Sequence, residues 1–189
     1  GIFEIDKKMY FKKWYQLKQN LIYKKTVVKS EILKNLTNSV RQCSRADVEQ
    51  SISLSGGLDS NILLGLYAKN KFLKKIPKTY SVEFGSDFSE KKYFSISNKK
   101  FNNENALINF SVDDMLNSIK PIIWHLESPS GGLMNCGLSK LCHAIHKDGI
   151  KIVQDGTGLD EIFGGYEIHH LLYLFHLREK SEKDYNKSL

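Results

Sequence analysis

Hydrophobic and polar positions follow two different periods along this chain. Within residues 30–44, Ile32, Leu36 and Val40 recur at helical spacing among polar residues, which predicts an amphipathic helix. Short apolar runs predict strands at 51–54, 78–84, 106–110 and 151–154, with helices at 61–69, 89–100, 111–125 and 137–147. Strands that alternate with helices of this length predict an α/β fold, in which helices cover both faces of a parallel sheet.

The first residues show a different pattern. Residues 1–15 alternate apolar and charged positions on either side of Asp6 to Lys8, which predicts a short β-hairpin. A two-stranded hairpin is marginally stable alone, so we expect it to belong to a sheet built by other residues. Because the first residue is Gly rather than Met, we also expect further residues to precede it in the natural protein.

Composition narrows the class of protein. The 189 residues are 41% hydrophobic and 26% charged, which is typical of a globular domain. The apolar stretches are shorter than the roughly 18 residues of a membrane span. The first residues do not resemble a signal peptide, so we expect a cytoplasmic protein without a membrane partner. The net charge of +7 comes mostly from scattered lysines, which does not favour nucleic acid as a partner.

Cysteine usage predicts neither a disulfide framework nor a zinc knuckle, because Cys43, Cys136 and Cys142 are odd in number and lack paired spacing. Cys142 and His146 lie four residues apart on a predicted helix, with His143 beside them. A metal site there stays open, although buried packing is the favoured interpretation.

A glycine-rich loop follows the first predicted strand of the sheet. Residues 55–60 read Ser-Gly-Gly-Leu-Asp-Ser and lead into a helix, and ligands of such sheets bind beyond the carboxyl ends of the strands. Gly56 and Gly57 allow the backbone to approach a phosphate, and Ser55 and Ser60 add hydroxyl donors. Asp59 suits a Mg²⁺ ion that bridges phosphates. A plain turn rich in Ser and Gly is the alternative.

A second segment, residues 155–166, follows the last predicted strand and reads Asp-Gly-Thr-Gly-Leu-Asp-Glu-Ile-Phe-Gly-Gly-Tyr. With residues 55–60 it resembles the synthetase domain of the glutamine-hydrolysing (class B) asparagine synthetase family, within the N-type ATP pyrophosphatase superfamily. Residues 47–48 and 125–127 also stand where that family has similar residues. The resemblance implies an adenine nucleotide alpha hydrolase-like, Rossmann-like fold.

The resemblance also implies site residues and a reaction. Asp59 and Asp160 would be catalytic and hold Mg²⁺. ATP would bind to a larger set: Leu54, Ser55, Gly56, Gly57, Leu58, Asp59, Ser60, Val82, Asp155 and Gly156. A substrate carboxylate, from aspartate or another acid, would attack the α-phosphorus and release pyrophosphate, and ammonia would then displace AMP. The alternative role for Asp160 is to cap the next helix.

The family's domain organisation implies boundaries. Residues 1–25 would be the hairpin and linker left from an N-terminal glutaminase-like domain, which supplies ammonia from glutamine. Residues 26–189 would be the ATP pyrophosphatase domain, which we expect to be incomplete at its C-terminal end. Residues 178–189 are highly charged and are expected to fray. A homodimer stays open.

Two positions depart from the family pattern. Thr157 stands at a catalytic position where the family has Glu, and a hydroxyl cannot act as a carboxylate base, so asparagine is not favoured as the product. Asp155 replaces Ser and either pairs with a Lys or weakens nucleotide binding. Two alternatives therefore remain, a tRNA-modifying ATP pyrophosphatase and a catalytically degenerate nucleotide-binding module.

Overall fold

The computed structural model describes residues 2–5, 8–11, 28–129, 132, 134–180 and 186, and its contacts divide the chain into Gly1–Leu33 and Lys34–Leu189. In the first unit, β1 (Ile2–Ile5) pairs with β2 (Lys8–Phe11) in antiparallel register. This confirms the predicted hairpin, apart from its turn and residues 12–15, which lie outside the described residues. The predicted boundary between residues 25 and 26 also lies outside them.

Strands and helices alternate after α1 (Lys29–Cys43). In chain order they are β3 (Gln50–Ser53), α2 (Leu58–Asn70), β4 (Lys78–Glu83), α3 (Lys91–Phe101), β5 (Asn105–Asn109), α4 (Val112–Leu126), α5 (Met134–Lys147) and β6 (Ile152–Gln154). The predicted elements between residues 30 and 154 are all present, and their ends differ by three residues or fewer. Two helices that the hydrophobic pattern did not predict follow, α6 (Leu159–Phe163) and α7 (Glu167–Lys180).

The four strands β3 to β6 form one parallel sheet in the order β5-β4-β3-β6. The chain moves outward from β3 to β5 and then returns across the sheet, so that β6 pairs with the other side of β3. The direction of winding therefore reverses between β3 and β6. In sheets of this kind, ligands bind in the crevice beyond the carboxyl ends of the strands at the point of reversal.

Each face of the sheet carries its own apolar core, because side chains alternate between faces along a strand. On one face, Ile52 and Leu54 pack against α2 and α3 through Leu63, Leu64, Tyr67 and Phe94. On the other face, Tyr80 packs with Leu141 and Ile145 of α5 and with Ile150. Helices on both faces of a parallel sheet confirm the predicted fold class.

The helices differ in how they are capped and in which side chains they expose. Ser111 caps α4 through a reciprocal pair of hydrogen bonds with Asp114, as the sequence of that turn suggests. Cys142, His143 and His146 are exposed on α5, so the prediction that they pack in the core is wrong. Among the helices that the structure describes, none has the length and apolar character to cross a membrane.

Candidate nucleotide site at the ends of β3 and β6

A cavity of about 640 Å³ opens beyond the carboxyl ends of β3 and β6. Nine of the twelve predicted site residues line it: Ser55, Gly57, Leu58, Asp59, Ser60, Asp155, Gly156, Thr157 and Asp160. The two sequence motifs are about 100 residues apart along the chain. Reversal of the winding at this point of the sheet brings them to one cavity.

The glycine loop is held by hydrogen bonds among its own residues. The Ser55 N–H donates to the buried Ser60 Oγ at 3.1 Å, and the Gly57 N–H donates to Ser55 Oγ at 3.1 Å. The side-chain amide of Asn61 donates to the carbonyl oxygens of Gly57 (2.6 Å) and Ser55 (3.2 Å). These hydroxyls therefore shape the loop, a role beyond the phosphate contacts predicted for them. Asn61, in the first turn of α2, also holds the loop, and no pattern in the sequence indicated this role.

Helix α2 begins inside the glycine motif, at Leu58, three residues earlier than predicted. Gly57 is its N-cap, and no described side chain caps this end of the helix. The first N–H groups of a helix lack partners within the helix, and they favour anions through the helix dipole. This end of α2 therefore suits a phosphate group, which is the role that the motif predicts.

Gly156 brings the two loops into close contact. A Cβ atom at Gly156 would lie 2.8 Å from the backbone nitrogen of Ser60 and 2.8 Å from the Cβ of Asp59. Both distances are shorter than real Cβ contacts, and the neighbours are backbone or the base of a side chain, which cannot rotate away. Glycine is therefore required here so that the loop after β6 can lie against the start of α2.

Asp59 and Asp160 face each other across this contact. Burial raises the pKa of the Asp59 carboxyl, and the negative charge of Asp160 raises it further, although a hydrogen bond from the backbone of Asp160 partly opposes both effects. Gly165 leaves room for Asp160, because a Cβ there would lie 2.7 Å from the Asp160 Cγ. Mutual repulsion of two carboxylates is relieved by a cation between them.

This pair of carboxylates fits a magnesium ion. Mg²⁺ is bound in proteins by one or two carboxylates and completes its shell with water and phosphate oxygens. Within the described residues, His, Cys, Asp and Glu side chains form no group of three or more that could hold a metal. A cation held by Asp59 and Asp160 would therefore draw its other ligands from a bound phosphate or from water.

The segment that follows Asp160 contributes two residues to which the sequence analysis gave no role. Tyr166 donates its hydroxyl to Glu161 Oε1 at 2.7 Å, and both line the cavity. This hydrogen bond lowers the pKa of Glu161 and raises that of Tyr166. The N-cap of α6 is Gly158, so the alternative that Asp160 caps this helix is wrong.

The two departures from the family pattern lie in the turn after β6. Asp155 Oδ1 accepts the Thr157 N–H at 3.0 Å, so this carboxylate shapes its own turn through the backbone. Thr157 is exposed and lines the cavity. A hydroxyl therefore lies in the cavity at the position where the resemblance predicts a carboxylate.

Three predicted residues do not line the cavity. Leu54 is 1% exposed, and its backbone N–H and carbonyl bind Tyr80 and Ser81 across the sheet. Val82 packs against the core beside α5. The Gly56 N–H donates to Glu90 Oε2 at 2.8 Å, and Glu90 is a residue that no local pattern indicates.

Comparison with known proteins identifies relatives of the chain. The family model of asparagine synthase matches residues 31–188. The chain is 30% identical over 170 residues to a Methanocaldococcus jannaschii protein provisionally named asparagine synthetase (glutamine-hydrolyzing) 2, covering 89% of this chain and 33% of that protein. It is 29% identical over 155 residues to asparagine synthetase B (glutamine-hydrolyzing) of Escherichia coli, covering 75% and 28%, respectively.

Amidase chyE of Penicillium rubens is 29% identical over 150 residues, covering 72% of this chain and 22% of that protein. The chain thus spans a third or less of the length of these relatives. Among solved structures, the U34-tRNA thiolase NcsA of Methanococcus maripaludis superposes with a TM-score of 0.50 at 15% identity, covering 82% of this chain and 53% of that chain, which supports the fold alone. Because the family model matches most of its residues, the chain belongs to the asparagine synthase family.

Proposed function

We propose that this chain is the ATP-dependent, amide-forming part of a synthetase of the asparagine synthetase type. It adenylates a substrate carboxylate with release of pyrophosphate, and ammonia derived from glutamine then forms the amide. Family membership supports ATP use and a ligase-type reaction. The single observation that carries the proposal is the pair of carboxylates, Asp59 and Asp160, beside an uncapped helix N-terminus at the point where the sheet reverses.

In this proposal the chain's own groups bind and orient the phosphates. The first N–H groups of α2 would bind phosphate oxygens, and Asn61 fixes the loop that precedes them. Asp59 and Asp160 would hold Mg²⁺, which would supply positive charge to stabilise the pyrophosphate as it leaves. Of the residues predicted to contact ATP, Gly156 lines the cavity, whereas Leu54 and Val82 lie outside it, so that their contact with ATP stays a prediction.

The reaction balances with two bond exchanges. A substrate carboxylate oxygen bonds to the α-phosphorus while the bond from that phosphorus to the β-phosphate oxygen breaks, which gives an acyl-adenylate and pyrophosphate. The ammonia nitrogen then bonds to the acyl carbon, AMP departs, and the nitrogen loses a proton. Thr157 cannot accept that proton as a carboxylate would, so we propose that the substrate is a carboxylic acid other than aspartate.

ATP–pyrophosphate exchange tests the activation step directly. The chain, within its full-length protein, is assayed with a panel of carboxylic acids that includes aspartate. We expect exchange that depends on one class of acid and on Mg²⁺, and we expect Asp59→Asn to reduce it by about two orders of magnitude or more through loss of a metal ligand. Asp113→Asn, an equivalent change in the exposed first turn of α4, serves as the control and should leave exchange unchanged.

Two results would count against the proposal. Absence of exchange with any acid, combined with Mg²⁺·ATP binding that does not respond to Asp59→Asn, would favour a degenerate nucleotide-binding module. Binding of tRNA with a steep dependence on salt concentration, without acid-dependent exchange, would favour the tRNA-modifying alternative.

A further inference from the structure

Glu90 binds the glycine loop at Gly56, a residue that the sequence predicts to contact ATP. Its Oε2 accepts the Gly56 N–H at 2.8 Å. Glu90 is the N-cap of α3, yet its side chain makes no capping hydrogen bond to its own helix. We propose that the Glu90 carboxylate is an internal substitute for a phosphate group, which the nucleotide displaces on binding, so that Glu90 sets the affinity of the site for ATP. This inference rests on the proposed function.

The contact depends on the absence of a side chain at Gly56. A Cβ atom at Gly56 would lie 2.8 Å from the Glu90 Cβ and 3.3 Å from its Cγ and Cδ. Glycine at this position therefore allows the stem of Glu90, as well as its carboxylate, to lie against the loop. The contact is more extensive than one hydrogen bond between exposed groups.

Displacement of Glu90 requires movement of its side chain alone. The Glu90 carbonyl accepts the N–H groups of Tyr93 (2.9 Å) and Phe94 (3.4 Å), which fixes the backbone at the start of α3. Phe94 is 2% exposed and packs in the core with Leu54 and Leu63, so this turn of α3 is anchored. The Glu90 side chain is exposed, and rotation about its own bonds moves the carboxylate into solvent.

A phosphate and the Glu90 carboxylate cannot share this position. The Gly56 amide has one hydrogen to donate, and two anions at the same donor repel each other. When a competing conformer is populated, the apparent affinity for a ligand falls in proportion to the fraction of molecules that can bind. If Glu90 occupies the loop in about nine molecules of ten, its removal tightens nucleotide binding roughly tenfold.

Calorimetric titration of the full-length protein with Mg²⁺·ATP, and separately with magnesium pyrophosphate, tests the proposal. We expect Glu90→Ala to tighten binding of both ligands roughly threefold to tenfold, and Glu90→Gln to tighten it less, because the amide oxygen still accepts the Gly56 N–H. Glu49→Gln is the matched control, since exposed Glu49 precedes β3 at the opposite end of the strand, and it should bind as the wild type does. A residue that merely supports the loop would lose affinity on substitution.

Amide hydrogen exchange at Gly56 gives a second measurement. Without nucleotide, exchange of this amide should be faster in Glu90→Ala than in the wild type, and Mg²⁺·ATP should make the two equal. Unchanged or weaker binding by both Glu90 variants, in a protein whose ATP binding still requires Asp59, would overturn the role of Glu90 and leave the proposed function intact. Failure of the wild type and both variants to bind ATP and pyrophosphate would overturn both.

Discussion

Replacement of Gly156 by Ala tests whether the site depends on the close approach of the two loops. The new Cβ would lie 2.8 Å from the Ser60 nitrogen, and an ordinary contact is 3.4 Å or longer, so the loops must separate by about 0.6 Å. Overpacking of this kind costs about 1–3 kcal/mol. Reduced freedom of the unfolded chain offsets about 0.4–1 kcal/mol of this cost. We therefore expect the free energy of unfolding to fall by about 1–2 kcal/mol.

The effect on the site should exceed the effect on stability. Asp59 begins the segment that must move, and a shift approaching 1 Å in a site of this kind can cost about 100-fold in activity. We expect Gly156→Ala to weaken Mg²⁺·ATP binding at least tenfold under conditions where the variant is fully folded. Urea denaturation and calorimetric titration measure the two quantities separately.

Gly65→Ala is the matched control for this substitution. Gly65 lies inside α2, and its new Cβ would have its nearest neighbour, Phe101 Cζ, at 3.8 Å, which is an ordinary contact. Removal of a glycine from a helix interior should stabilise the protein by about 0.5–1 kcal/mol and leave nucleotide binding unchanged. If Gly156→Ala matched this control in both stability and affinity, the reasoning from close approach would be refuted.

Two further substitutions test the glycine loop and the supporting sheet independently. Asn61→Ala removes the amide that binds two loop carbonyls. We expect ATP binding, measured by calorimetry, to weaken roughly fivefold to tenfold, because one such hydrogen bond contributes about 1 kcal/mol. Wild-type affinity in this variant would contradict the role of Asn61. Asp148→Asn acts beside the first residue of β4, where hydrogen bonds from Lys78 and then Tyr80 lower the pKa of the Asp148 carboxyl. The charged Asp148 carboxylate stabilises the fold above the unfolded pKa of about 4, and this contribution is lost as the pH falls through the lower pKa of the folded state. The variant should therefore have a lower urea midpoint than the wild type at pH 7, and the two midpoints should converge toward pH 2. ATP binding should be normal. Equal midpoints for both proteins at pH 7 would show that the interaction contributes nothing.

The sequence predicted the fold because its signals are local. Helical spacing around Leu36 and the strand preceding Ser55 each depend on neighbours within a few residues. The predicted start of α2 was three residues late, because Leu58 and Asp59 belong to the glycine motif and also form the first turn of the helix. Helix α6 was missed because a five-residue helix between glycines has too few turns to show a period.

The site was predictable only as far as its motifs extend. Residues 55–60 and 155–166 supplied most of the cavity, whereas Glu90 comes from a third segment whose partner, Gly56, is 34 residues away. No periodicity or spacing in the sequence reports a contact across that separation. Burial of the Leu54 backbone in the sheet is likewise a consequence of strand pairing, which a single sequence does not display.

The strand order also has a consequence for folding. The glycine loop and α2 are local in sequence and can form early, but β6 joins β3 only through contacts such as the hydrogen bond from Ser51 Oγ to the Ile152 carbonyl, 101 residues away. Closure of so long a loop is slow, because chain entropy is lost before any contact can offset the loss. We therefore expect the cavity to be completed when β6 joins the sheet. A nucleotide that binds both loops would stabilise the fully assembled sheet over any partly folded form. Occupancy of the site by nucleotide and complete folding of the sheet would therefore favour each other.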